Sequence, residues 1–335
     1  MFEVPILLIL IIATALIFDF TNGAHDCANA IASIVSTKVA KPKYAIAMAA
    51  TLNFVGALLG TEVAKTLGGG LVYPHVVEGC HILVLAALVG AIFWNFFTWW
   101  LGIPSSSSHA LIGGLIGAGW AHAGPGAVNF QGLVLKVLLP LVGSPLIGFS
   151  VGFLIMWLLY WICSRHRRAR VIATFRRLQW FSAGFVALSN GLNDAQKTMG
   201  IITLALVLFG FLPAIEVPLW VKIVCALAMC LGTAIGGWRI VKTMGNRIFK
   251  LETYHGFAAE SATGIVIAGA SLFGAPVSTT HTVSSAIFGV GSVKRLNAVH
   301  WTVAKQFIVA WTLTLPAAGV VGACAYYILH FIWPQ

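Results

Sequence analysis

The sequence contains apolar runs that are long enough to cross a lipid bilayer. Residues 131–162 and 303–333 each exceed the roughly 20 residues that a helix needs to span a hydrocarbon core of about 30 Å. Of the 335 residues, 59% are hydrophobic and only 9% are charged, whereas about 25% are charged in an ordinary soluble domain. These features predict an all-α polytopic membrane protein.

The net charge of +11 could suggest a nucleic-acid partner. The Lys and Arg residues, however, fall in short segments between apolar runs, where their ordinary role is to set membrane topology. Six cysteines are scattered without metal-ligand spacing. We therefore predict no nucleic-acid partner and no cofactor, and we assign no metal site.

The basic residues form four clusters, at 38–43, 165–177, 239–250 and 294–295. The positive-inside rule makes these clusters cytoplasmic. The segments 67–80 and 212–217 carry little positive charge and should face outward. Because one crossing separates each terminus from its nearest basic cluster, we expect a multi-pass protein of the inner (plasma) membrane with both termini outside.

Four short motifs occur twice, in the same order, with spacings close to half the chain length. The pairs are Asn22–Asp26 with Asn190–Asp194, Gly60–Gly68 with Gly237–Gly245, Pro104–His109 with Pro276–His281, and Pro145–Gly148 with Pro316–Gly319. Self-similarity at one long period indicates a duplicated unit. We predict a first repeat at 1–165, a basic cytoplasmic linker at 166–177 and a second repeat at 178–335.

The predicted orientation makes the second repeat an upside-down copy of the first, which starts outside and ends inside. Inverted-topology repeats are typical of secondary transporters, which bind substrate near the midplane where the halves meet. A channel or a membrane enzyme could also carry a repeat. The fold class expected is an inverted-topology repeat with broken helices and two re-entrant helical hairpins.

The polar segment Asn22–Asn29 interrupts an apolar stretch that is too long for one simple crossing. It predicts a broken helix at membrane depth, with a counterpart at Asn190–Lys197. An aspartate there costs on the order of 3 kcal/mol and is tolerated where it faces a cavity or a partner. Asp26 and Asp194 would then supply carboxylates for a cation, with a helix N-cap or a structural polar contact as the alternative for Asp26.

Two hydroxyl runs, Ser105–Ser108 and Ser278–Thr280, each follow a proline and precede a fresh apolar segment. Ser and Thr at a helix start are N-cap residues, and the helix N-terminus directs unpaired N–H groups at whatever lies in front of it. Two such starts that converge would favour a tetrahedral oxyanion. Each run is expected at the tip of a re-entrant hairpin, at 81–123 and 254–291, although full crossings would satisfy the charge pattern equally well.

These motifs resemble those of the inorganic phosphate transporter (Pit) family over nearly the whole chain, and they are most similar to the bacterial low-affinity phosphate permeases. The resemblance rests on Asn22–Asn29, on Asn190–Lys197 and on the two Pro-x-Ser/Thr-Ser/Thr-Ser/Thr-His tips. It implies inorganic phosphate as the substrate. It also implies a homodimer and a PhoU-like cytoplasmic accessory protein.

Two departures from the sodium-coupled members of that family bear on the coupling ion. His25 precedes Asp26, and Lys197 stands where the repeat would place a second Asn29. A fixed ammonium beside Asp194 could replace a bound cation or neutralise phosphate directly. We therefore expect coupling to protons rather than sodium, with a lysine that snorkels to the interface as the alternative for Lys197.

Three further titratable residues lie in apolar segments. Glu260 resembles a functional acid of the family, and a carboxylate paired to Lys305 or Lys222 is an equally good explanation of it. His109 and His281 each close a tip, where they could act as a relay, as ligands or as first-turn capping residues.

The predicted function is a secondary active symporter, not an enzyme, that imports inorganic phosphate by alternating access. The alternatives are a sodium-coupled phosphate symporter, a sulfate permease of the same fold and, in a different class, an intramembrane aspartyl protease. Phosphate could enter free or as a metal-phosphate complex. The residues expected to bind phosphate are Asp26, Asn29, Ser105, Ser106, Ser107, Ser108, Asp194, Lys197, Ser278, Thr279 and Thr280. The residues expected to couple the ion, a proton or sodium, are Asn22, His25, Asp26, Asn190, Asn193, Asp194 and Glu260.

Overall fold

The computed structural model describes residues 5–70, 80–294 and 296–333, and within these ranges every regular element is helical. The α-helices are α1 (Ile6–Ser36), α2 (Pro42–Leu58), α3 (Glu62–Gly70), α4 (Ile82–Leu101), α5 (Ser107–Ala123), α6 (Phe130–Leu133), α7 (Leu139–Cys163), α8 (Arg168–Leu208), α9 (Leu219–Ile235), α10 (Trp238–Asn246), α11 (Thr253–Leu272), α12 (Thr279–Lys294) and α13 (Trp301–Ile332). Short 3₁₀ segments lie at Gly124–Ala127 and Leu296–Ala298, and one π-helical turn, Val134–Leu138, leads into α7.

Several of these helices have the length and apolar composition of membrane spans. Four qualify individually among the described residues: Ile6–Ser36, Ile82–Leu101, Val142–Cys163 and Trp301–Ile332. The pair α9 and α10 qualifies together and is bent by 69° at its break. The all-α membrane fold expected from the apolar runs is confirmed.

The order of the helices in the first part of the chain recurs in the second. Helices of each part pack against helices of the other part. Helix α1 packs on α9, while α8 packs on α2. In the same way α1 contacts α10, and α8 contacts α3. Farther along the chain, α5 packs on α13 and α12 packs on α7. Each half therefore completes its packing with helices of the other half.

Two apolar clusters flank a polar centre. The first contains Leu8, Leu88 and Leu111, and the second contains Ile31, Met156 and Ile287. In α1 the residues of the first cluster end at Phe18 and those of the second begin at Cys27. The polar residues of the first motif thus lie between two apolar layers.

The predicted helix breaks at Asn22–Asn29 and Asn190–Lys197 are wrong, because both motifs lie inside continuous helices. Helix α1 has 31 residues and α8 has 41, or about 46 Å and about 62 Å at about 1.5 Å per residue. Asp26 and Lys197 bond to side chains of neighbouring helices, and the helical backbone continues through both motifs.

The breaks occur instead between α2 and α3 and between α9 and α10. At the second break Gly236 has φ of +77°, a conformation that glycine adopts without steric cost.

Helices α4 and α5 form a hairpin. Cys80, before α4, and His122, at the end of α5, both contact the Tyr326 hydroxyl. The two arms therefore return to the same end of the molecule. The connection is turned by Gly102, with φ of +70°, and Pro104.

Helices α11 and α12 form the second hairpin. Glu252, before α11, bonds to Arg168 at 2.6 Å, and the end of α12 at Gly291 lies against Phe249. The start of α11 and the end of α12 therefore lie at the same end of the hairpin, and α11 starts beside Arg168 of α8. The helical hairpins expected at 81–123 and 254–291 are thus present, and their re-entrant course in the membrane stays a prediction.

Two of the basic segments, 38–43 and 165–177, lie at one end of the molecule. Thr37, after α1, donates a hydrogen bond of 2.9 Å to Gln179 of α8. Val39 and the arginines Arg170, Arg176 and Arg177 line a cavity of about 840 Å³ at this end. The 38–43 and 165–177 clusters are therefore neighbours in the fold.

Candidate functional site

Asp26 lies at the centre of the fold, where the tip of the second hairpin reaches it. Thr280 donates a hydrogen bond of 3.1 Å to its Oδ1, and Thr279 donates one of 3.4 Å to its Oδ2. Asn29, one turn farther along α1, adds a hydrogen bond of 2.9 Å to Oδ1. The carboxyl of the first motif is thus held by hydroxyl groups of the second half of the chain.

In the second motif, Lys197 occupies the position that Asn29 has in the first motif. Its Nζ donates to Asp194 Oδ1, to Ser108 Oγ and, at 3.0 Å, to the carbonyl oxygen of Val277. The side chain is only 1% exposed, so the alternative of a snorkelling lysine does not hold. Asp194 is therefore linked through an ammonium to the tip of the first hairpin.

The two motifs and the two tips form one site. The Asp26 and Asp194 carboxyl groups lie against each other, and the Ser108 hydroxyl faces the carbonyl oxygen of Val277 at 3.5 Å. The predicted convergence of two carboxylates with two hydroxyl-rich tips is what the geometry shows. The site is buried and draws residues from both halves.

The first turn of each tip helix is capped in the same way. Ser106 Oγ accepts the His109 N–H, and Ser278 Oγ accepts the His281 N–H, both at 3.3 Å. These caps define where α5 and α12 begin, and they direct the positive ends of both helices at the centre. Helix N-termini with free N–H groups are suited to anions.

The other hydroxyls of the first tip differ in their partners. Ser105 bonds to Thr98 of α4 at 2.7 Å, and Thr98 in turn lies 3.4 Å from His25 Nε2. The Ser107 hydroxyl is buried and has no hydrogen-bond partner among the described residues. His25 is thus connected to the first tip, while Ser107 keeps its hydrogen-bonding capacity free.

The remaining amides of the motifs are also buried. Asn193 donates to Ser271 at 2.8 Å and to the carbonyl oxygen of Ala275 at 3.4 Å, near the second tip. Within the described part of the chain, the Asn22 and Asn190 side-chain oxygens have no hydrogen-bond partner. These oxygens are acceptors that a cation or a protonated group could use.

A family model described as "Phosphate transporter family" matches residues 22–322. The chain belongs to this phosphate transporter family. It is 46% identical over 329 residues to a probable low-affinity inorganic phosphate transporter of Bacillus subtilis (strain 168), covering 98% of each chain. It is 50% identical over 323 residues to a protein of the same description from Rhizobium meliloti (strain 1021), covering 96% of each.

A solved structure described as "The sodium-dependent phosphate transporter" has the same fold as this family member. The TM-score is 0.88 at 24% identity, and the match covers 97% of this chain and 99% of that one. The resemblance drawn from the motifs is confirmed, and so is the prediction that the chain is not an enzyme, because the family is one of transporters. An aspartyl protease is thereby excluded.

Glu260 of this phosphate transporter family member has different partners from those predicted. Its Oε1 accepts hydrogen bonds from Ser33 and, at 3.1 Å, from Gln179, and its Oε2 accepts one from Ser182. The expected pairing with Lys305 or Lys222 is not the one observed. The carboxylate instead joins α1, α8 and α11.

Glu260→Gln is expected to lower the free energy of unfolding by about 1–3 kcal/mol, because an amide nitrogen would face hydrogen-bond donors in a buried site. Thermal unfolding in detergent measures the change. Glu62→Gln is the matched control, since Glu62 forms an exposed pair with Lys65 and exposed pairs contribute little. Equal thermal stability of the two variants would contradict the role of Glu260 in joining these helices.

His109 and His281 pack against each other, with ring centroids 4.5 Å apart at an interplanar angle of 80°. His281 also stacks on Trp311, with centroids 3.9 Å apart. Both histidines line a mainly apolar cavity of about 410 Å³ with Pro145 and Phe149. Neither described ring makes a hydrogen bond to Asp26 or Asp194, so their relay role stays a prediction.

Several polar residues of the site were missed in the sequence. Thr98 is a polar residue in the apolar α4, while Gln179 and Ser182 precede the second motif by about three and about two helical turns. Asp19 is fully buried in α1, two turns before Asp26. Polar residues within apolar segments are the signal that could have found them.

Proposed function

We propose that the chain is a secondary active symporter that imports inorganic phosphate by alternating access and is coupled to protons. The observation that carries this proposal is the buried centre, in which both halves contribute a carboxyl, a hydroxyl-rich tip and a helix N-terminus. Such a centre offers hydrogen-bond donors to an anion and acceptors to protons. Sites of this kind at the interface of repeats are typical of secondary transporters.

Phosphate is proposed to bind between the two tips. The donors are the hydroxyls of Ser105–Ser108 and Ser278–Thr280, the Asn29 amide and the Lys197 ammonium. Asp26 and Asp194 would accept the proton that phosphate carries. Sulfate carries no proton at neutral pH, so the two carboxylates favour phosphate over sulfate. A metal-phosphate complex would use the same two carboxylates as ligands.

Proton coupling is proposed because Lys197 already supplies a fixed cation to Asp194. The other residues proposed to take part in ion coupling are Asn22, His25, Asn190 and Asn193. Glu260 is assigned to holding α1 and α8 against α11, because three donors satisfy its carboxylate. Sodium coupling is the second candidate. It is kept because the solved structure with the same fold is described as a sodium-dependent phosphate transporter.

Uptake of radiolabelled phosphate into liposomes tests the function. We expect phosphate to accumulate when the outside is made more acidic than the inside in the absence of sodium. Addition of a sodium gradient should change the amount accumulated little. Strict dependence on sodium would contradict proton coupling and favour the second candidate. Unlabelled sulfate added in excess is expected to leave uptake unchanged, and strong competition would favour the sulfate permease.

The orientation in the membrane is proposed from the charge distribution. The hairpin α11–α12 opens at the end that carries Arg168, and the hairpin α4–α5 opens beside Tyr326. Under the positive-inside rule the first of these ends is cytoplasmic. The two halves would then cross the inner membrane in opposite senses, as a multi-pass protein with both termini outside.

A homodimer and a PhoU-like cytoplasmic accessory protein are proposed from the family resemblance. The arginine-lined cavity at Arg170 and Arg176 would suit an acidic surface of the accessory protein. Cross-linking in native membranes tests both assemblies. A monomer with no cross-linked species would contradict them without affecting the transport proposal.

A further inference from the structure

Asp19 is a buried carboxyl group close to the centre, and the Thr198 hydroxyl lies beside it. It lies on α1, seven residues before Asp26, and its exposed fraction is 0%. Neither of its oxygens has a hydrogen bond of normal geometry to any described residue. The Thr198 hydroxyl of α8 lies beside it and likewise has no such bond. Two groups that could bond to each other therefore stand side by side.

The charges around Asp19 leave it uncompensated. The charged groups that face it are Asp194 and Lys197 of α8, and the titratable group from α9 is the Cys225 thiol. Lysine has three N–H donors, and Lys197 directs them to Asp194, Ser108 and the carbonyl oxygen of Val277. The described residues of α2, α4 and α10 bring no charged partner to Asp19.

A buried carboxylate without donors is unfavourable unless it is paired or loses its charge. A metal cation needs several oxygen ligands, and the Thr198 hydroxyl contributes one oxygen beside Asp19. Within the described part of the chain, no group of three His, Cys, Asp or Glu residues could hold a metal ion. A proton needs a single acceptor oxygen, and the protonated carboxyl could donate to Thr198.

We propose that Asp19 is a proton-binding residue of the transport cycle and that its protonation favours phosphate at the centre. The proposal deepens the proposed function and rests on it. A proton from the outside forms an O–H bond on Asp19, which removes a negative charge from beside Asp194. Phosphate then enters a less negative site, and the O–H bond breaks when the proton leaves to the inside.

Asp19→Asn tests the proposal, because asparagine resembles the protonated carboxyl and cannot release a proton. Two assays are compared in liposomes without sodium: phosphate accumulation driven by an inward pH gradient, and phosphate exchange with equal pH on both sides. We expect the variant to lose accumulation by about tenfold, within the 5–150-fold range typical of coupled binding sites, and to keep exchange. Accumulation at the wild-type level would overturn the proposal.

Asp19→Glu and Thr198→Val provide the second test. Asp19→Glu is expected to restore pH-driven accumulation, since a carboxyl is again present. Thr198→Val should shift the pH at which uptake is half-maximal while leaving exchange intact. If Asp19→Asn does not fold, this pH shift alone tests whether Asp19 binds the proton. An unshifted pH profile would overturn the proposal. Failure of the proposed function is distinguishable, because the unmodified protein itself would then show no pH-driven accumulation.

Discussion

Asp194→Asn is expected to abolish phosphate uptake. The substitution removes the carboxylate that pairs with Lys197 and leaves the buried ammonium without its directly bonded counter-charge. Breaking a buried ion pair by removal of one partner costs about 3–5 kcal/mol. It also removes one of the two carboxylates proposed to accept the proton of phosphate. Radiolabelled uptake into liposomes, normalised to the amount of folded protein in the membrane, measures the loss.

A double variant separates the transport role of Asp194 from its effect on stability. Asp194→Asn together with Lys197→Met removes both charges, and replacement of a whole buried pair by uncharged groups is often neutral for stability. We expect thermal stability in detergent to recover towards that of the unmodified protein while uptake stays absent. Full uptake by the Asp194→Asn variant would remove the central role of this carboxylate.

Gly191→Ala is expected to lower the free energy of unfolding, because it places a methyl group between two closely packed helices. A Cβ at Gly191 in α8 would overlap the backbone carbonyl oxygen of Asn53 in α2. Backbone cannot rotate away as a flexible side chain can, so the helices must separate. Overpacking costs about 1–3 kcal/mol in well-packed cores, and we expect a loss at the upper end of that range, measured by thermal unfolding in detergent.

Gly269→Ala is the matched control for that variant. Gly269 lies inside the helix α11, and a Cβ there would have no atom within 4 Å. Alanine is favoured over glycine in a helix interior by about 0.5–1 kcal/mol. The control should therefore keep or raise the melting temperature. A Gly191→Ala variant as stable as the control would show that the α2–α8 contact can relax.

The first motif shows the same use of glycine. A Cβ at Gly23 in α1 would overlap the backbone carbonyl oxygen of Met229 in α9. Gly23 and Gly191 are the glycines of the two Asn-Gly pairs, and each lets a helix of the opposite half approach closely. The repeated motif therefore encodes helix packing as well as the chemistry of the centre.

Much of the site could be predicted from the sequence because the repeat makes it visible twice. The Ser105–Ser108 and Ser278–Thr280 runs stand in apolar surroundings, where hydroxyl groups need partners, so the hairpin tips were expected. What could not be predicted is that Asp26 bonds directly to the tip of the opposite half, while Asp194 reaches the other tip through Lys197. That pairing depends on how the helices pack in three dimensions, and no local pattern records it.

The prediction of unwound helices was wrong for a physical reason. A polar cluster in an apolar stretch can be accommodated either by unwinding or by partners on neighbouring helices, and spacing alone does not distinguish the two. Asp19 was overlooked because it has no twin. The corresponding position, three residues before Asn190, is Ala187. Comparison of the two repeats identifies the residues that both contain, and it gives no signal for a residue such as Asp19 that occurs in one half only.

The crossed attachment of the hairpin tips has a consequence for movement. Withdrawal of the α5 tip would release the ammonium of Lys197 from Ser108 while Thr279 and Thr280 still hold Asp26. Withdrawal of the α12 tip would free Asp26 from Thr279 and Thr280 and Lys197 from the carbonyl oxygen of Val277, while Ser108 still holds the ammonium. Under the proposed alternating access, each hairpin would act as the gate for one side of the bilayer while the other keeps its own contacts with the centre.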